Sequence, residues 1–328
     1  MPAPRRYRTS ASPLGRTDAA APWTLVLAGG EGVRLADYVE RRFGHRTPKQ
    51  YCNLLGDRSM LEHTLDRLAT LVPASRTLAV IGTHHAAVAA PQLAGRAHHV
   101  FRQPGSRDTG VALYVALAMI RRASPHAIVT VTPADHFVRP AAAYVAQVSR
   151  VQALAARDRE RVFVVGVRPT EPDPDLGYLA LGAMRRDGTR AVDGFVEKPA
   201  RGVATQLVRN GALWNTMVTC ASATALWELA REANPAFAGL LDALLPLVNT
   251  PDEDDAIESL YRAVPGISFS KDLLERAPGR LAAFPLAGVD WSDWGKAERV
   301  ETGIARERRR AAIAAAASPS PRASAVAS

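Results

Sequence analysis

Short apolar runs that stop abruptly at glycine or proline, separated by stretches of helical spacing, constrain this chain more than any other feature. Residues 23–28 form such a run and end at Gly29-Gly30, the mark of a buried strand. Residues 78–81, 127–132 (stopped by Pro133) and 162–167 read the same way. Between them, residues 59–71 carry Met60, Leu61, Leu65 and Leu68 at helical spacing. Residues 109–122, apolar along Val111, Leu113, Val115, Leu117, Met119 and Ile120, and residues 141–156 are further helices. Strands alternating with helices imply parallel strands joined by crossovers. In such sheets ligands bind beyond the carboxyl ends of the strands. That rule points to residues 29–32, 102–105 and 133–136. From about residue 176 the texture changes to short β-like pieces (178–181, 191–196, 213–220) mixed with helices (221–233, 235–245, 252–263). The expected fold is α/β: a Rossmann-like mixed, mostly parallel sheet flanked by helices, with a smaller α+β region completing a cleft.

The chain has 328 residues and is 47% hydrophobic, ordinary for a folded protein. No apolar run approaches the ~20 residues of a membrane span, and no signal-peptide stretch follows the start. A cytoplasmic protein without a membrane partner is expected. Two cysteines, Cys52 and Cys220, are too few for a disulfide framework or a zinc site, and buried thiols are expected. The net charge of +9 is concentrated at the ends. Residues 1–22 hold four arginines against one aspartate, and residues 305–328 hold five against one glutamate. These ends, poor in periodicity and rich in Ala, Ser, Pro and Arg, read as a disordered basic tail (1–22) and as a helix end running into a disordered tail (305–328). The body, 23–304, divides at residue 175 into two halves. Basic tails without a folded basic face do not argue for specific nucleic-acid binding.

Six motifs carry the chemistry. Leu27-Ala28-Gly29-Gly30-Glu31-Gly32-Val33-Arg34-Leu35 is a Gly-rich turn after a strand, where a missing Cβ lets backbone N–H groups approach phosphate. It lacks the Gly-Lys-Ser/Thr of a P-loop and the register of a dinucleotide fingerprint. Pro48-Lys49-Gln50 follows. Gln103-Pro104-Gly105-Ser106-Arg107-Asp108-Thr109-Gly110 runs into a helix, where Asp108 suits the helix N-terminus. Thr132-Pro133-Ala134-Asp135-His136 delivers a carboxylate, a hard-cation ligand, to the end of a strand. Gly177-Tyr178 precedes Phe195-Val196-Glu197-Lys198-Pro199, then Leu213-Trp214-Asn215-Thr216-Met217, and last Val289-Asp290-Trp291-Ser292-Asp293-Trp294-Gly295.

In this order, from about residue 23 to residue 304, the series resembles the sugar nucleotidyltransferases, and Pro-Lys-Gln is most similar to their mannose-1-phosphate guanylyltransferases. The resemblance implies transfer of GMP from GTP to mannose 1-phosphate, releasing pyrophosphate, with Mg²⁺ (or Mn²⁺) and a homodimer as a compatible assembly. It implies nucleotide contacts from Leu27, Ala28, Gly29, Gly30, Gly32, Arg34, Lys49, Gln103, Arg107 and Thr109. It implies sugar-phosphate contacts from Gly177, Glu197, Lys198 and Asn215, and metal ligation by Asp135 and Asp293, with Asp290 a rival. Arg34, Lys49, Asp135, Lys198 and Asp293 form the implied catalytic set. The sugar phosphate is already an anionic nucleophile, so charge and alignment are needed and no general base. The chain departs from the family pattern in three places. Asp108 stands for the usual Asn, where a carboxylate could accept from guanine N–H groups or face the helix dipole, the latter being favoured. Residues 36–47 form a longer basic segment. The Ser-Gly after Asn215 is reduced to Thr216, leaving the backbone path there open. The competing readings are uridylyl or thymidylyl transfer to glucose 1-phosphate, and a catalytically weak binder of sugar nucleotides.

Overall fold

The six-residue runs are strands buried on both faces, and their side chains sort by parity as a period of two demands. Trp23 and Leu25 enter one core while Val26 enters another; Leu78 and Val80 separate from Ala79 and Ile81 in the same way, as do Val162 and Val164 from Phe163 and Val165. A computed structural model describes residues 6–9 and 20–317, with side chains to residue 313. In chain order its first half contains β1 (Arg8–Thr9), β2 (Pro22–Leu27), α1 (Ala36–Phe43), α2 (Met60–Leu68), β3 (Thr77–Gly82), α3 (Ala86–Leu93), β4 (His99–Gln103), α4 (Asp108–Ala123), β5 (Ile128–Pro133), β6 (Phe137–Arg139), α5 (Ala141–Arg157) and β7 (Val162–Val167). The second half contains β8 (Tyr178–Met184), β9 (Arg190–Val196), α6 (Arg201–Arg209), β10 (Leu213–Ser222), α7 (Ala223–Ala233), α8 (Pro235–Leu244), α9 (Glu253–Ala263), β11 (Leu281–Pro285), β12 (Asp290–Ser292) and α10 (Ala297–Ala317).

One ten-stranded sheet, ordered β1-β4-β3-β2-β5-β10-β7-β11-β9-β8, spans both halves, and β6 and β12 form a separate pair. Strands β4, β3, β2 and β5 are mutually parallel, as the alternation of strands and helices requires. The direction reverses at β10, which lies antiparallel between β5 and β7 and stitches the halves together. Helices α4, α7, α8 and α9 cover one face, and α2, α3 and α5 the other. Helix α2 begins on a complete capping box. Ser59 Oγ accepts from Glu62 N, and Glu62 Oε2 accepts from Ser59 N. Such a cap stabilises a helix by about 1 kcal/mol.

The N-terminal end differs from the tail expected of it. Residues 8–9 are a strand, β1, paired antiparallel with β4. The basic charge there is not simply solvated. Arg8 is buried, with Nη1 3.6 Å from Glu253 Oε1 and Nη2 donating to Asn249 Oδ1 at 2.7 Å. The acidic first turn of α9 thus receives the segment, a partnership across some 240 residues that local composition cannot reveal. At the other end α10 continues to Ala317. The rest of both expected tails lies outside the described residues. Both cysteines are buried and free. Among the described residues, no helix is long and apolar enough to cross a membrane.

Candidate functional site

A cavity of about 520 Å³ opens at the carboxyl ends of β2 and β5, and its wall is completed by residues from the second half. All six motifs contribute to its lining directly: the Gly turn, the 103–109 segment, the strand end at Asp135, the Gly177/Glu197/Lys198 group, Asn215, and Asp293. The turn after β2 is held from behind. Gln50 Nε2 donates to the carbonyls of Ala28 (3.0 Å) and Gly30 (2.7 Å), Tyr51 Oη to Ala28 O (2.7 Å), and Gln103 Nε2 to Gly29 O (3.1 Å). A Cβ on Gly29 would stand 2.7 Å from Gln103 Nε2, so glycine is what lets this side chain reach the turn.

At one end of the cavity the charges interlock. Lys49 is buried, with Nζ 3.1 Å from Asp135 Oδ2 and donating to the carbonyls of Asp293 and Trp294. One ammonium therefore ties the Asp135 carboxylate to the backbone carbonyl of Asp293. The Asp293 carboxylate is flanked by Arg34 Nη2 at 3.4 Å and Arg299 Nη1 at 3.2 Å. Arg299 also pairs with Asp173, which is itself buried and 3.1 Å from Lys296 Nζ. Burial, the largest single influence, would raise the Asp135 pKa, but the Lys49 charge, acting together with His136 and with the hydrogen bonds to the carboxylate, holds it below its ordinary value. Burial pushes His136 down to about 4, so its imidazole is neutral near pH 7. Asp293 owes its position to Trp294 beside it, which packs with Leu35, Val39, Val300 and Ile304 between α1 and α10 and stacks on Phe137 at 4.8 Å. The basic 36–47 segment contributes all of α1, the support under this corner.

The other end is built from β8, β9 and β10. Gly177 O accepts from Asn215 N at 2.8 Å, and Lys198 N donates to Leu176 O at 3.2 Å. A Cβ on Gly177 would collide with Glu197 Oε2, so glycine here lets the carboxylate fold over the chain. Glu197 N donates to Glu275 Oε2 at 3.1 Å, and Lys198 Nζ lies 3.9 Å from Glu197 Oε1 while remaining 62% exposed. Burial raises the Glu197 pKa, against the opposing charge of Lys198. After Asn215 the pairing of β10 with β7 slips, and Met217 takes φ +61°. The backbone path left open by the sequence is thus a bulge that begins at Thr216. Its Oγ1 donates to Val165 O at 2.6 Å, and Met217 N donates to Asn215 Oδ1 at 3.0 Å.

The remaining residues of the implied nucleotide set fall in different places. Leu27, Gly29, Gly30, Arg34, Gln103 and Thr109 line the cavity, whereas Ala28, Gly32, Lys49 and Arg107 do not. Arg107 turns away, with Nε donating to Tyr261 O at 3.0 Å. Asp108, at φ +62° in the first turn of α4, accepts from Thr109 N at 2.6 Å and also lines the cavity. Asp290 pairs with Arg306 on α10 and does not line the cavity, unlike its neighbour Asp293. Ser268, Ser270 and Met217 line the wall without having been expected there. Ser270 belongs to a π-helical turn, Phe269–Leu274, that packs against the start of α4, where Phe269 N donates to Thr109 Oγ1 at 3.1 Å.

Residues 23–305 match the family model for nucleotidyl transferases. The chain is 32% identical over 218 residues to the xanthan biosynthesis protein XanB of Xanthomonas campestris pv. campestris (strain B100), covering 65% of this chain and 45% of that one. It is 26% identical over 281 residues to a mannose-1-phosphate guanylyltransferase of Sinorhizobium fredii (strain NBRC 101917 / NGR234), covering 84% and 53%. The chain thus spans about half the length of these curated relatives. Among solved structures it superposes with a TM-score of 0.73 and 31% identity on a protein of Thermus thermophilus described as a mannose-1-phosphate geranyltransferase, covering 84% of this chain and 76% of that one. With the match running through nearly the whole body and the motifs gathered around one cavity, the chain belongs to the nucleotidyl transferase family.

Proposed function

We propose that this chain transfers GMP from GTP to mannose 1-phosphate. A phosphate oxygen of the sugar phosphate forms a bond to the α-phosphorus, the bond from that phosphorus to the oxygen bridging it to the β-phosphorus breaks, and pyrophosphate leaves. The observation that carries this reading is the meeting in one cavity of Asp135 and Asp293 with Arg34 at one end and Gly177, Glu197, Lys198 and Asn215 at the other. In this reading residues 23–175 supply the nucleotide half of the site and residues 176–304 the sugar-phosphate half.

The donor chemistry suits the parts. Two carboxylates on one cavity wall are oxygen ligands of the kind Mg²⁺ takes, and the pair Asp135 and Asp293 would hold it. When bound, such an ion offsets the negative charge of the phosphates in this site. Arg34 offers a forked donor to phosphate oxygens beside the Gly turn. Lys49 acts from beneath the cavity: its ammonium keeps Asp135 ionised and near Asp293. Lys198, exposed at the mouth, meets the phosphate of the sugar, while Glu197 and Asn215 accept and donate to its hydroxyls. The names of two curated relatives favour guanosine and mannose over other pairs. A cytoplasmic location follows from the need for nucleoside triphosphate.

The test is a pyrophosphate-release screen of GTP, UTP, dTTP, ATP and CTP against mannose, glucose and fucose 1-phosphates. GTP with mannose 1-phosphate should give the highest kcat/KM. A preference for UTP or dTTP with glucose 1-phosphate would replace the substrate assignment. No release with any pair would overturn the reaction.

A further inference from the structure

The Gly-rich turn has an outer side as well as an inner one, and the outer side carries a cluster that the transfer reaction does not use. Glu31 stands between Gly30, which lines the cavity, and Gly32. A tight turn at the end of β3, Thr83–His85, brings two consecutive histidines against it. His84 Nε2 lies 3.1 Å and His85 Nε2 3.6 Å from the same carboxylate oxygen, Glu31 Oε2. One ligand atom from each of the three residues lies within 4.8 Å of the other two. None of the three lines the cavity.

The spacing suits a coordination shell, and without an ion the 3.1 Å separation serves as a hydrogen bond between His84 Nε2 and Glu31 Oε2. Around a tetrahedral ion with bonds of about 2.0–2.1 Å, neighbouring ligand atoms stand about 3.3 Å apart, and the two separations to Glu31 bracket that value. The accessibility also fits. The His85 side chain is buried, and among the described residues its Nδ1 has no hydrogen-bond partner, so its Nε2, facing Glu31, is the ring atom with a polar neighbour. The side chains of His84 and Glu31 are 64% and 45% exposed, which leaves the cluster open to an ion and to water from solvent. Two imidazole nitrogens and one carboxylate are a donor set for zinc and its neighbours, whereas magnesium prefers oxygen alone.

We propose that Glu31, His84 and His85 form a second divalent-metal site, selective for a zinc-class transition metal, that clips the Gly-rich turn to the end of β3. The clip would act at one point on the turn, since the turn is already tied from inside by Gln50, Tyr51 and Gln103. Metal bound only to the folded chain stabilises it. The site is independent of which nucleotide or sugar the cavity accepts, and its test needs no turnover.

The experiment is calorimetric titration of the full chain with Zn²⁺ in the presence of millimolar Mg²⁺, alongside thermal melting. The wild type should bind one equivalent of Zn²⁺ at micromolar concentration or below, and saturating zinc should raise Tm by about 3–5 °C. Removing one of three ligands should cost far more than the 10–100-fold typical of an outer-shell change, so His84→Ala and Glu31→Gln should each weaken zinc binding by roughly 100-fold or more. His84 is an exposed side chain, so its variant should melt like the wild type when zinc is absent. Asp135→Asn should leave zinc affinity within about threefold, since its carboxylate belongs to the cavity. Three results would each overturn the proposal: no binding by the wild type at 100-fold above micromolar zinc (~100 µM), unchanged binding in His84→Ala, or loss of zinc in Asp135→Asn instead.

Discussion

At the Asp135 end of the cavity the charges are already paired, whereas at the Lys198 end the cation stands largely in solvent. Lys49 holds the Asp135 carboxylate and the Asp293 carbonyl, and Arg34 and Arg299 flank Asp293 before any ligand arrives. Among the described residues Lys198 has Glu197 as its one ion-pair partner, at 3.9 Å, and is 62% exposed. The difference has a physical logic. Where charge must be held close to charge, the protein fixes it in advance, so that little reorganisation accompanies the reaction. Where a small substrate must enter and leave, an exposed, flexible ammonium can follow its phosphate. Substitutions at the first end should therefore strike turnover, and those at the second end apparent affinity.

The comparison can be broken most sharply at the aspartates. Asp135→Asn or Asp293→Asn should lower kcat by roughly 10²-fold or more, measured by pyrophosphate release at saturating substrates. Near-normal turnover in both would remove the distinction between the two ends. Next comes Gly177→Ala, whose Cβ would push Glu197 aside. A displacement of that size should reduce kcat/KM for the sugar phosphate by roughly 10–100-fold. Lys198→Ala is milder: KM for the sugar phosphate should rise about tenfold with KM for the nucleotide within about twofold. A loss falling mainly on kcat would show that this end, too, is set in advance. The smallest effect belongs to Arg107→Ala. Its guanidinium is spent on Tyr261 O, so nucleotide KM should change by no more than about twofold. A tenfold rise would return Arg107 to the nucleotide set that the motif implies.

Much of this was legible in the sequence because the relevant groups sit at strand ends. Asp135 follows β5, the Gly turn follows β2, and Asn215 lies within β10; apolar runs mark such places plainly. The parallel half of the sheet was readable for the same reason. The reversal at β10 was not, since strand direction depends on where a distant chain returns. Arg107 was placed by its motif, but the backbone at the start of α4 aims its side chain at Tyr261, a partner 154 residues away. Ser268 and Ser270 carry no local signal, because a π-helical turn has neither the helical nor the strand period. Glu31, His84 and His85 are ordinary surface types in sequence and meet only because β2 and β3 are parallel neighbours whose ends coincide. The segment at residues 6–9 was misjudged by composition, since the acids that receive it, Glu253 and Asp254, lie in α9.

The central claim is that Asp135 and Asp293, brought together across the two halves, act on one ion, and the kinetics of the double variant Asp135→Asn/Asp293→Asn test it most directly. If the carboxylates work as a unit, removing the second after the first adds little, and the double variant should fall within about threefold of the slower single variant. If the losses instead multiply, to roughly 10⁴-fold or beyond, the two aspartates serve separate purposes and the single centre described above is contradicted.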